Sequence, residues 1–421
     1  MPLGRFSVAV PRTNSSMESA DDIVHGSAPT TACDPWWLEK RVELINLAET
    51  QGTPAYVYDM PTLRSRFVAL REVLTEVAIV HYAIKANEHP EFIKSAIEAG
   101  LNLECVTLPE VEYVMRTCAD WPGFSVDKIL FTPNFAPLSV YEKALSLGLR
   151  VTLDSIYPLQ QKPEIFRGAS VLVRVDYGLG YAAHHSHVVT SGDASKFGVA
   201  LADLPWLASI SQEYGMTVVG LHAHTGSGIL DARQWAQNYR ALRNLAITHF
   251  PSVRILNLGG GLGIPYRPTD PTLDLSAVNE HLRKEVSESP KTFELWMEPG
   301  RYATAPAGVL LASVTHLKVK NQGHTFVGVD AEMNDLLRPA LYDAYHHIVN
   351  LSRLRLDGVD MMSADIVGPI CESGDFLGRD RQLPATTAAG DALVIADAGA
   401  YGHCMSSHYN MRNPAQQYFL A

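Results

Sequence analysis

The sequence predicts an α/β protein of two domains, a closed β/α barrel followed by a β-rich domain. The first observation is an alternation of apolar, strand-like segments with helix-length segments, repeated about eight times before Arg301. After Arg301 the chain changes to short segments rich in Val, Gly and Asp, with turns between them. The length of 421 residues also exceeds that of an ordinary single domain. Eight strands alternating with helices favour a closed barrel over an open doubly wound sheet.

The elements follow in order along the chain. Residues 1–34 are rich in Ser, Thr, Pro and Asp without periodicity, which predicts a flexible leader. We expect residues 35–54 to pack with the β domain, the barrel to span 55–301 and the β domain to span 302–421. The strand-like segments of the barrel region are Ala55–Tyr58, Ala78–Tyr82, Leu101–Val106, Ile129–Phe131, Arg150–Leu153, Ser170–Val175, Thr217–His222, Ile255–Leu258 and Phe293–Met297. Those of the β region are Leu310–Leu317, Thr325–Val329, Met362–Val367 and Ala392–Ala396.

Composition excludes several classes of protein. The chain is 47% hydrophobic and 19% charged, which is typical of a globular protein, and its formal net charge of −11 without a basic cluster argues against a nucleic-acid partner. No apolar run reaches the roughly 18 residues of a membrane span, and no signal-peptide core is present, so we expect a cytoplasmic protein. The five cysteines form no CxxC pair, which argues against a disulfide framework or a structural zinc site.

The motif YAIKAN at residues 82–87 places Lys85 at the carboxyl end of a predicted buried strand. Partial desolvation there would lower the pKa of the lysine and allow its amine to form a Schiff base with an aldehyde. The alternative is a lysine that ends a strand with its amine in water.

Two further motifs follow strands. HAHTGSG at residues 222–228 brings His222 and His224 close to a Gly/Ser turn, and strand alternation leaves His224 as the histidine nearer the loop. The pair could bind a metal, but no third ligand follows at a matching spacing, so we expect no metal. GGGLG at residues 259–263 allows backbone N–H groups to approach a phosphate. It lies too late in the alternation for a dinucleotide fingerprint, and a tight turn is the remaining alternative.

Three motifs lie at the end of the barrel region and in the β region. EPGR at residues 298–301 puts a carboxylate and a guanidinium at the mouth of the last predicted barrel strand. Such a carboxylate could keep a pyridine nitrogen protonated, or it could pair with the arginine. CESGD at residues 371–375 and GAYG at 399–402 lie in the β region, where Cys371 has polar neighbours although a lone cysteine is more often a small core residue.

Taken in this order, the six motifs resemble the alanine-racemase-like, barrel-type decarboxylases that use pyridoxal 5′-phosphate (PLP), and among them the diaminopimelate decarboxylases. The resemblance runs from about Pro54 to Tyr418. The opening Trp36-Trp37 and the segments HTGSGIL and ELWMEPGRY look especially similar to the decarboxylase half of fused aspartokinase–decarboxylase proteins. The resemblance implies the fold type III architecture, a PLP-binding barrel with a C-terminal β domain.

The resemblance also implies roles for individual residues. Lys85 would hold PLP as a Schiff base, His224 would stack on its ring, and Glu298 would face the pyridine nitrogen. The phosphate would be held by Ser227 and the backbone of Gly259, Gly260 and Gly261, with Tyr401 nearby. The substrate would be bound by Arg301, Arg338, Tyr342, Glu372 and Tyr401, the arginines and Tyr342 taking its distal carboxylate and Glu372 its distal amine. Cys371 would lie near the substrate Cα, and both Cys371 and Glu372 would come from the partner subunit of a homodimer.

The function implied is decarboxylation of meso-2,6-diaminopimelate to L-lysine and CO2, the last step of lysine biosynthesis. Two arginines beside Glu372 suit a zwitterionic distal centre, because a buried charge without a partner is costly. Decarboxylation of another amino-diacid, or of ornithine or lysine in either configuration, is the first alternative. A racemase and a non-catalytic PLP-binding protein are the others. One departure from the family is Glu104, where many relatives have aspartate.

Overall fold

The computed structural model describes residues 34–178, 181–182, 192, 195–354 and 360–421. The leader predicted over residues 1–34 therefore lies outside the described residues, apart from Asp34. The strands are β1 (Ala55–Asp59), β2 (Val77–Ala83), β3 (Asn102–Cys105), β4 (Ile129–Phe131), β5 (Arg150–Leu153), β6 (Ser170–Asp176), β7 (Tyr181–Ala182), β8 (Val199–Ala200), β9 (Thr217–His222), β10 (Gly226–Ser227), β11 (Ile255–Asn257), β12 (Glu294–Met297), β13 (Gly308–Val319), β14 (Thr325–Val329), β15 (Ile348–Asn350), β16 (Met361–Val367), β17 (Phe376–Pro384), β18 (Ala392–Ile395) and β19 (Gln416–Leu420). The α-helices are α1 (Trp36–Glu39), α2 (Arg41–Gln51), α3 (Met60–Val73), α4 (Pro90–Glu98), α5 (Leu108–Thr117), α6 (Leu138–Ser146), α7 (Tyr157–Gln161), α8 (Leu204–Tyr214), α9 (Gln234–His249), α10 (Leu275–Ser287), α11 (Arg301–Thr304) and α12 (Arg338–Tyr342).

The predicted closed β/α barrel is confirmed. Its eight parallel strands follow the order β2, β3, β4, β5, β6, β9, β11 and β12, and pairing of β5 with β6 and of β12 with β2 closes the ring. Helices or 3-10 turns connect most of these strands. The sequence predicted all eight strands to within two residues at either end, because each is a short apolar run followed by turn residues.

Local signals explain where several helices begin and end. Asp59 accepts a hydrogen bond from the Thr62 backbone N–H and so caps α3. Thr107 and Glu110 form a reciprocal capping box at the start of α5. Gly215 ends α8 in the left-handed conformation that glycine adopts at least cost. The signals at α5 and α8 fix connections between barrel strands and their helices, and the cap of α3 fixes the connection that follows β1.

The second domain is a mostly antiparallel eight-stranded sheet, as the short segments rich in Val, Gly and Asp after Arg301 predicted. Six strands follow the order β15, β18, β13, β14, β16 and β17, and within this order only β14 and β16 pair in parallel. Strands β15, β17 and β19 were not predicted: β15 has only three residues, β17 has a polar centre and β19 begins with two glutamines.

One strand lies in a different sheet from the one expected. β1, which we expected to open the barrel, pairs antiparallel with β13 and parallel with β19 in the second sheet. All five of its residues are buried, so its sequence has no exposed face that could indicate a neighbour. Helix α2 packs on the same sheet, with Leu44 against Val57 and Leu311.

The buried core consists of a large continuous cluster, a smaller cluster beneath helix α2 and a small cluster inside the barrel. Leu130, Leu172, Val219, Ile255 and Trp296, from five different barrel strands, form a separate buried cluster. Because these strands form the wall of the barrel, the cluster fills the interior of the barrel, below the carboxyl ends of the strands. Side chains at the carboxyl ends of the strands can therefore form a site. No helix in the described part of the chain has both the length and the apolar character to cross a membrane.

Candidate active site

A cavity of about 320 Å³ opens at the carboxyl ends of the barrel strands. This is the end at which β/α barrels carry their active sites. The residues selected from the sequence that line it are Lys85, His224, Ser227, Gly261, Glu298, Arg301 and Tyr401. A larger cavity of about 750 Å³ lies in the second domain, between residues 339–348 and 374–382, and contains none of the selected residues.

Lys85 forms an ion pair at the floor of the cavity. It lies in the 3-10 turn Ile84–Ala86 that follows β2, and its Nζ is 2.5 Å from Oε2 of Glu104 at the end of the adjacent strand β3. The other Glu104 oxygen accepts a hydrogen bond from the Thr132 hydroxyl. Burial lowers the pKa of Lys85, but Glu104, Tyr401 and Glu298 together raise it above its ordinary value. The lowered pKa expected from the sequence is therefore wrong for the cofactor-free protein, because the buried Glu104 stabilises the ammonium.

The second domain holds the turn that carries Lys85. The Tyr401 backbone N–H donates to the Ala86 carbonyl at 2.8 Å, and the Asn87 amide donates to the Gly399 carbonyl at 3.2 Å. The Cys404 Sγ lies 3.4 Å from the Lys85 carbonyl oxygen. These contacts bring the Tyr401 side chain into the cavity from the β domain.

Glu298 is a buried carboxylate directly after β12. Its Oε1 accepts a hydrogen bond from Nδ2 of Asn257 at 2.7 Å, and its Oε2 lies 3.4 Å from Nε2 of His222. Burial alone would raise its pKa, but His222 and Lys85 hold the pKa well below the usual range of a glutamate. The carboxylate is thus ionised and fixed in direction, and can keep a ring nitrogen protonated.

His224 lies at the cavity wall as a neutral imidazole. Its Nδ1 accepts a hydrogen bond from the Gly260 backbone N–H at 3.1 Å, which leaves the proton on Nε2. Burial, with Arg174 and Lys85 nearby, lowers the pKa of His224 to about 3. A neutral ring in this position can stack on a flat cofactor without repelling a cationic one.

The glycine run after β11 permits a close approach of three backbone segments. A Cβ on Gly259 would lie 2.6 Å from the Ala223 carbonyl oxygen, and one on Gly260 would lie 2.4 Å from the Glu298 carbonyl oxygen. A Cβ on Gly261 would lie 2.6 Å from the Gly226 carbonyl oxygen. Only glycine fits these positions, and the result is a narrow backbone cradle beside Ser227.

Arg301 and Arg338 lie close together near the second domain. Arg301 donates to the Tyr266 hydroxyl at 2.8 Å and to Oγ of Ser227 at 3.0 Å, and its Cζ is 4.8 Å from the Tyr401 ring centroid. Arg338 is 3% exposed and lies outside the cavity lining, with its Cζ 4.8 Å from the Tyr266 ring centroid. Tyr342 is half-buried at the end of α12 and is close enough to Arg301 to influence its pKa.

Cys371 and Glu372 do not reach the cavity of their own chain. Both are exposed in the loop between β16 and β17. The Cys371 backbone N–H donates to Oδ1 of Asn410 at 3.4 Å, and Oε1 of Glu372 accepts from the Ser373 hydroxyl at 3.1 Å. Their predicted role in a partner's site remains a prediction.

The cavity lining also contains residues to which the sequence assigned no role, among them Thr132, Asn134, Arg174, Lys196 and Phe197. Thr132 and Asn134 follow β4, and Arg174 lies near the end of β6. The rule that barrel chemistry lies at strand ends, applied to every strand, would have selected these three. Lys196 and Phe197 precede the short strand β8 and carry no comparable signal.

These residues fit PLP. The cavity contains a lysine amine, an ionised buried carboxylate and a neutral imidazole, which are the groups that the aldehyde, the ring nitrogen and the ring face require. The glycine cradle beside Ser227 and Arg301 suits the phosphate. The buried Arg301 Nε, which has no hydrogen-bond partner among the described residues, also favours an anionic ligand.

Comparison with known proteins first defines the class. The family model described as "Pyridoxal-dependent decarboxylase, pyridoxal binding domain" matches residues 61–305, which is more than half of the chain. The protein is therefore a PLP-dependent decarboxylase of the barrel type.

Individual relatives then define the family. The diaminopimelate decarboxylase of Methanothermobacter thermautotrophicus is 35% identical over 388 residues, covering 89% of this chain and 88% of the relative. That of Escherichia coli K12 is 33% identical, with coverages of 88% and 89%. The crystal structure of the Helicobacter pylori diaminopimelate decarboxylase complexed with L-lysine superposes with a TM-score of 0.78 at 27% identity, covering 89% of this chain and 93% of that one. The chain belongs to the diaminopimelate decarboxylase family, and the resemblance drawn from its motifs is confirmed.

Proposed function

We propose that the protein decarboxylates meso-2,6-diaminopimelate at its D-configured centre and releases L-lysine and CO2. The observation that carries this proposal is that Arg301 and Arg338 lie beside a cavity whose residues fit PLP. We call these two residues the arginine pair. Neither guanidinium forms a salt bridge with a carboxylate in the described part of the chain; their partners are hydroxyl groups, aromatic rings and a histidine.

The arginine pair supports a substrate with a second carboxylate. Arg338 is buried and Arg301 is half-buried, and removing a guanidinium from water without a salt-bridge partner is costly, so the pair favours an anionic ligand. The PLP phosphate can satisfy part of Arg301, which also contacts Ser227. Arg338 lies outside the cavity lining, and a simple diamine precursor without a distal carboxylate would leave it with no salt bridge to a carboxylate in the described part of the chain.

The cofactor residues divide into four groups according to the part of PLP that each would hold. Lys85 would bind the aldehyde, Glu298 would hold the proton on the pyridine nitrogen, and His224 would pack on the ring. The phosphate would lie at Ser227 and the backbone of residues 259–261. When bound, PLP supplies an aldehyde that joins the substrate amine and a pyridinium ring that accepts the electrons released as CO2 leaves.

The chain's own groups control protons around this chemistry. The Lys85 amine must lose a proton before it can bond to carbon, and the ion pair with Glu104 Oε2 at 2.5 Å opposes that loss in the cofactor-free protein. Glu298 stays ionised because its pKa is held well below the working pH, so it does not withdraw the proton that it stabilises on the ring nitrogen. His224 contributes no positive charge near the ring, because its pKa is lowered to about 3.

Two site residues are assigned to a partner subunit. Cys371 and Glu372 are exposed and absent from the cavity lining of their own chain. We propose that a homodimer brings this loop to the partner's cavity, where the Cys371 thiol donates a proton to the substrate Cα and Glu372 binds the distal amine. The cytoplasmic location expected from the composition remains a prediction.

The test is a panel of substrates. Purified protein with PLP is incubated separately with meso-diaminopimelate, D-lysine, L-lysine and L-ornithine, and CO2 and the amine product are measured. The proposal expects rapid CO2 release from meso-diaminopimelate alone. Faster release from ornithine or lysine would contradict it and would remove the arginine pair from substrate selection, while leaving the fold and the cofactor site in place.

A further inference from the structure

Two buried residues, His346 and Tyr266, contact the arginine pair without lining either of the two cavities described above. Arg338 Nη1 donates a hydrogen bond to Nε2 of His346 at 2.8 Å, and Nδ1 of His346 lies 2.8 Å from the Ala396 carbonyl oxygen. A carbonyl can only accept, so the proton lies on Nδ1 and the lone pair lies on Nε2. The Ala396 carbonyl therefore fixes the tautomer that lets His346 accept from Arg338.

Tyr266 contacts both members of the pair. Its hydroxyl accepts from Arg301 Nη1 at 2.8 Å, and its ring centroid lies 4.8 Å from the Cζ of Arg338 and 5.8 Å from that of Arg301. Its ring also meets the His346 ring edge-on at 5.5 Å and 78°. Tyr266 and His346 are 3% and 0% exposed, so packing holds both rings in place.

We propose that His346 and Tyr266 are positioning residues that hold Arg301 and Arg338 at the spacing needed to bind the distal carboxylate of the substrate. This inference rests on the proposed function, because it assigns the two residues to the same carboxylate. It adds the residues that set the specificity of that site.

The chemistry of the two residues explains why they suit this task. A carboxylate in place of His346 would also hold Arg338, but it would neutralise the guanidinium and compete with the substrate. A neutral imidazole accepts one N–H and leaves the positive charge available. Burial, and the Arg338 charge beside it, lower the pKa of His346 well below its ordinary value, which keeps the imidazole neutral.

The arrangement also joins the two domains. Tyr266 follows the glycine run after β11 in the barrel, and Arg301 begins α11 after the last barrel strand. Arg338 and His346 belong to the second domain, on either side of the end of α12. The distance between the two guanidiniums therefore depends on the domain junction, and the contacts of the Tyr266 ring with Arg338 and His346 lie across it.

The experiment compares three variants of the full-length protein with PLP. His346→Leu removes the acceptor, His346→Gln keeps a carbonyl oxygen that can accept from Arg338, and Tyr266→Phe removes only the hydroxyl. His347→Leu is the matched control, since His347 is half-buried, is next in sequence and lines the other large cavity. For each protein we measure KM and kcat for meso-diaminopimelate, the inhibition constant of L-lysine and the dissociation constant of PLP.

His346→Leu is expected to raise both KM and the inhibition constant of L-lysine about tenfold, which is ~1.4 kcal/mol of binding. The kcat and the PLP dissociation constant should stay within about threefold of wild type, because the reacting centre and the cofactor are untouched. His346→Gln should recover most of the loss, Tyr266→Phe should show a smaller increase of KM, and His347→Leu should behave as wild type.

The inference is overturned if KM and lysine inhibition are unchanged in His346→Leu, or if kcat and PLP binding fall while KM does not. It is also overturned if His346→Gln is no better than the leucine variant. Should the leucine variant fail to fold, Tyr266→Phe decides by itself: an unchanged KM refutes the inference. Failure of wild type to decarboxylate meso-diaminopimelate would instead refute the proposed function, which separates the two outcomes.

Discussion

The glycine run after β11 gives a prediction that can be worked out in detail, through Gly259→Ala and the matched control Gly215→Ala. The two glycines have nearly the same left-handed backbone, with φ of +68° and +65°. Their surroundings differ. A Cβ on Gly215 meets nothing within 4 Å, whereas one on Gly259 would lie 2.6 Å from the Ala223 carbonyl oxygen and 2.9 Å from the Cα of His224.

The expected losses of stability follow from these distances. Both substitutions force an alanine into a left-handed conformation, at a cost of about 1–2 kcal/mol. Gly259→Ala adds overpacking against the backbone of the neighbouring strand end, which typically costs another ~1–3 kcal/mol. We therefore expect Gly215→Ala to lose about 1–2 kcal/mol of unfolding free energy and Gly259→Ala about 2–5 kcal/mol.

Denaturant unfolding of the cofactor-free variants measures these losses, and PLP titration measures the consequence for the site. Gly259→Ala should weaken PLP binding at least tenfold, since the added methyl displaces His224, while Gly215→Ala at the end of α8 should not. Equal stabilities of the two variants, together with equal PLP affinity, would refute the close packing of the glycine run against the His224 segment.

Three further predictions follow from the site and its surroundings. Lys85→Ala should abolish the visible absorbance band of protein-bound PLP, and persistence of that band in the spectrum would remove Lys85 from its role. Burial and the neighbouring Glu332 raise the pKa of Asp335 to about 7, so the folded protein binds a proton that the unfolded chain has released. The contribution of Asp335 to the unfolding free energy should therefore fall as pH rises from about 4 to 7. Asp335→Asn should reduce the dependence of the unfolding free energy on pH in this range. If the variant shows the same pH dependence as wild type, the raised pKa of Asp335 is contradicted. Finally, the Lys85→Ala and Cys371→Ala variants should each be nearly inactive. If Cys371 acts in the partner's site, a dimer that contains one subunit of each variant has one intact site. After the two variants are mixed and reassociated, about half of the dimers are of this kind, so activity should recover to about a quarter of wild type. No recovery in mixed dimers would place Cys371 in its own chain's site or outside the chemistry.

The barrel could be predicted from the sequence because its strands are short apolar runs separated by helices. The strand β1 could not be assigned to its sheet in this way. It is apolar and buried on both faces, so pairing with β13 and β19 depends on residues more than 200 positions away. Long-range pairing of a fully buried strand leaves no local pattern in the sequence.

The residues of the site were predictable to different degrees. Lys85, His224 and Glu298 follow apolar strands directly, and the strand-end rule locates such residues. The ionisation of Lys85 was not predictable, since it depends on Glu104 across a strand pair. Tyr266 was missed for a similar reason: its contact with Arg301 joins residues 35 positions apart in the sequence.

The measurement that tests the central claim most directly is the stoichiometry of the reaction with meso-diaminopimelate. Holoenzyme and its Lys85→Ala variant are supplied with a limiting amount of the substrate, and CO2, L-lysine and remaining diaminopimelate are quantified with their stereochemistry. The account predicts one CO2 and one L-lysine for each diaminopimelate consumed by the wild type, and no consumption by the variant. Inversion of a centre without CO2, or no consumption by the wild type, would contradict it.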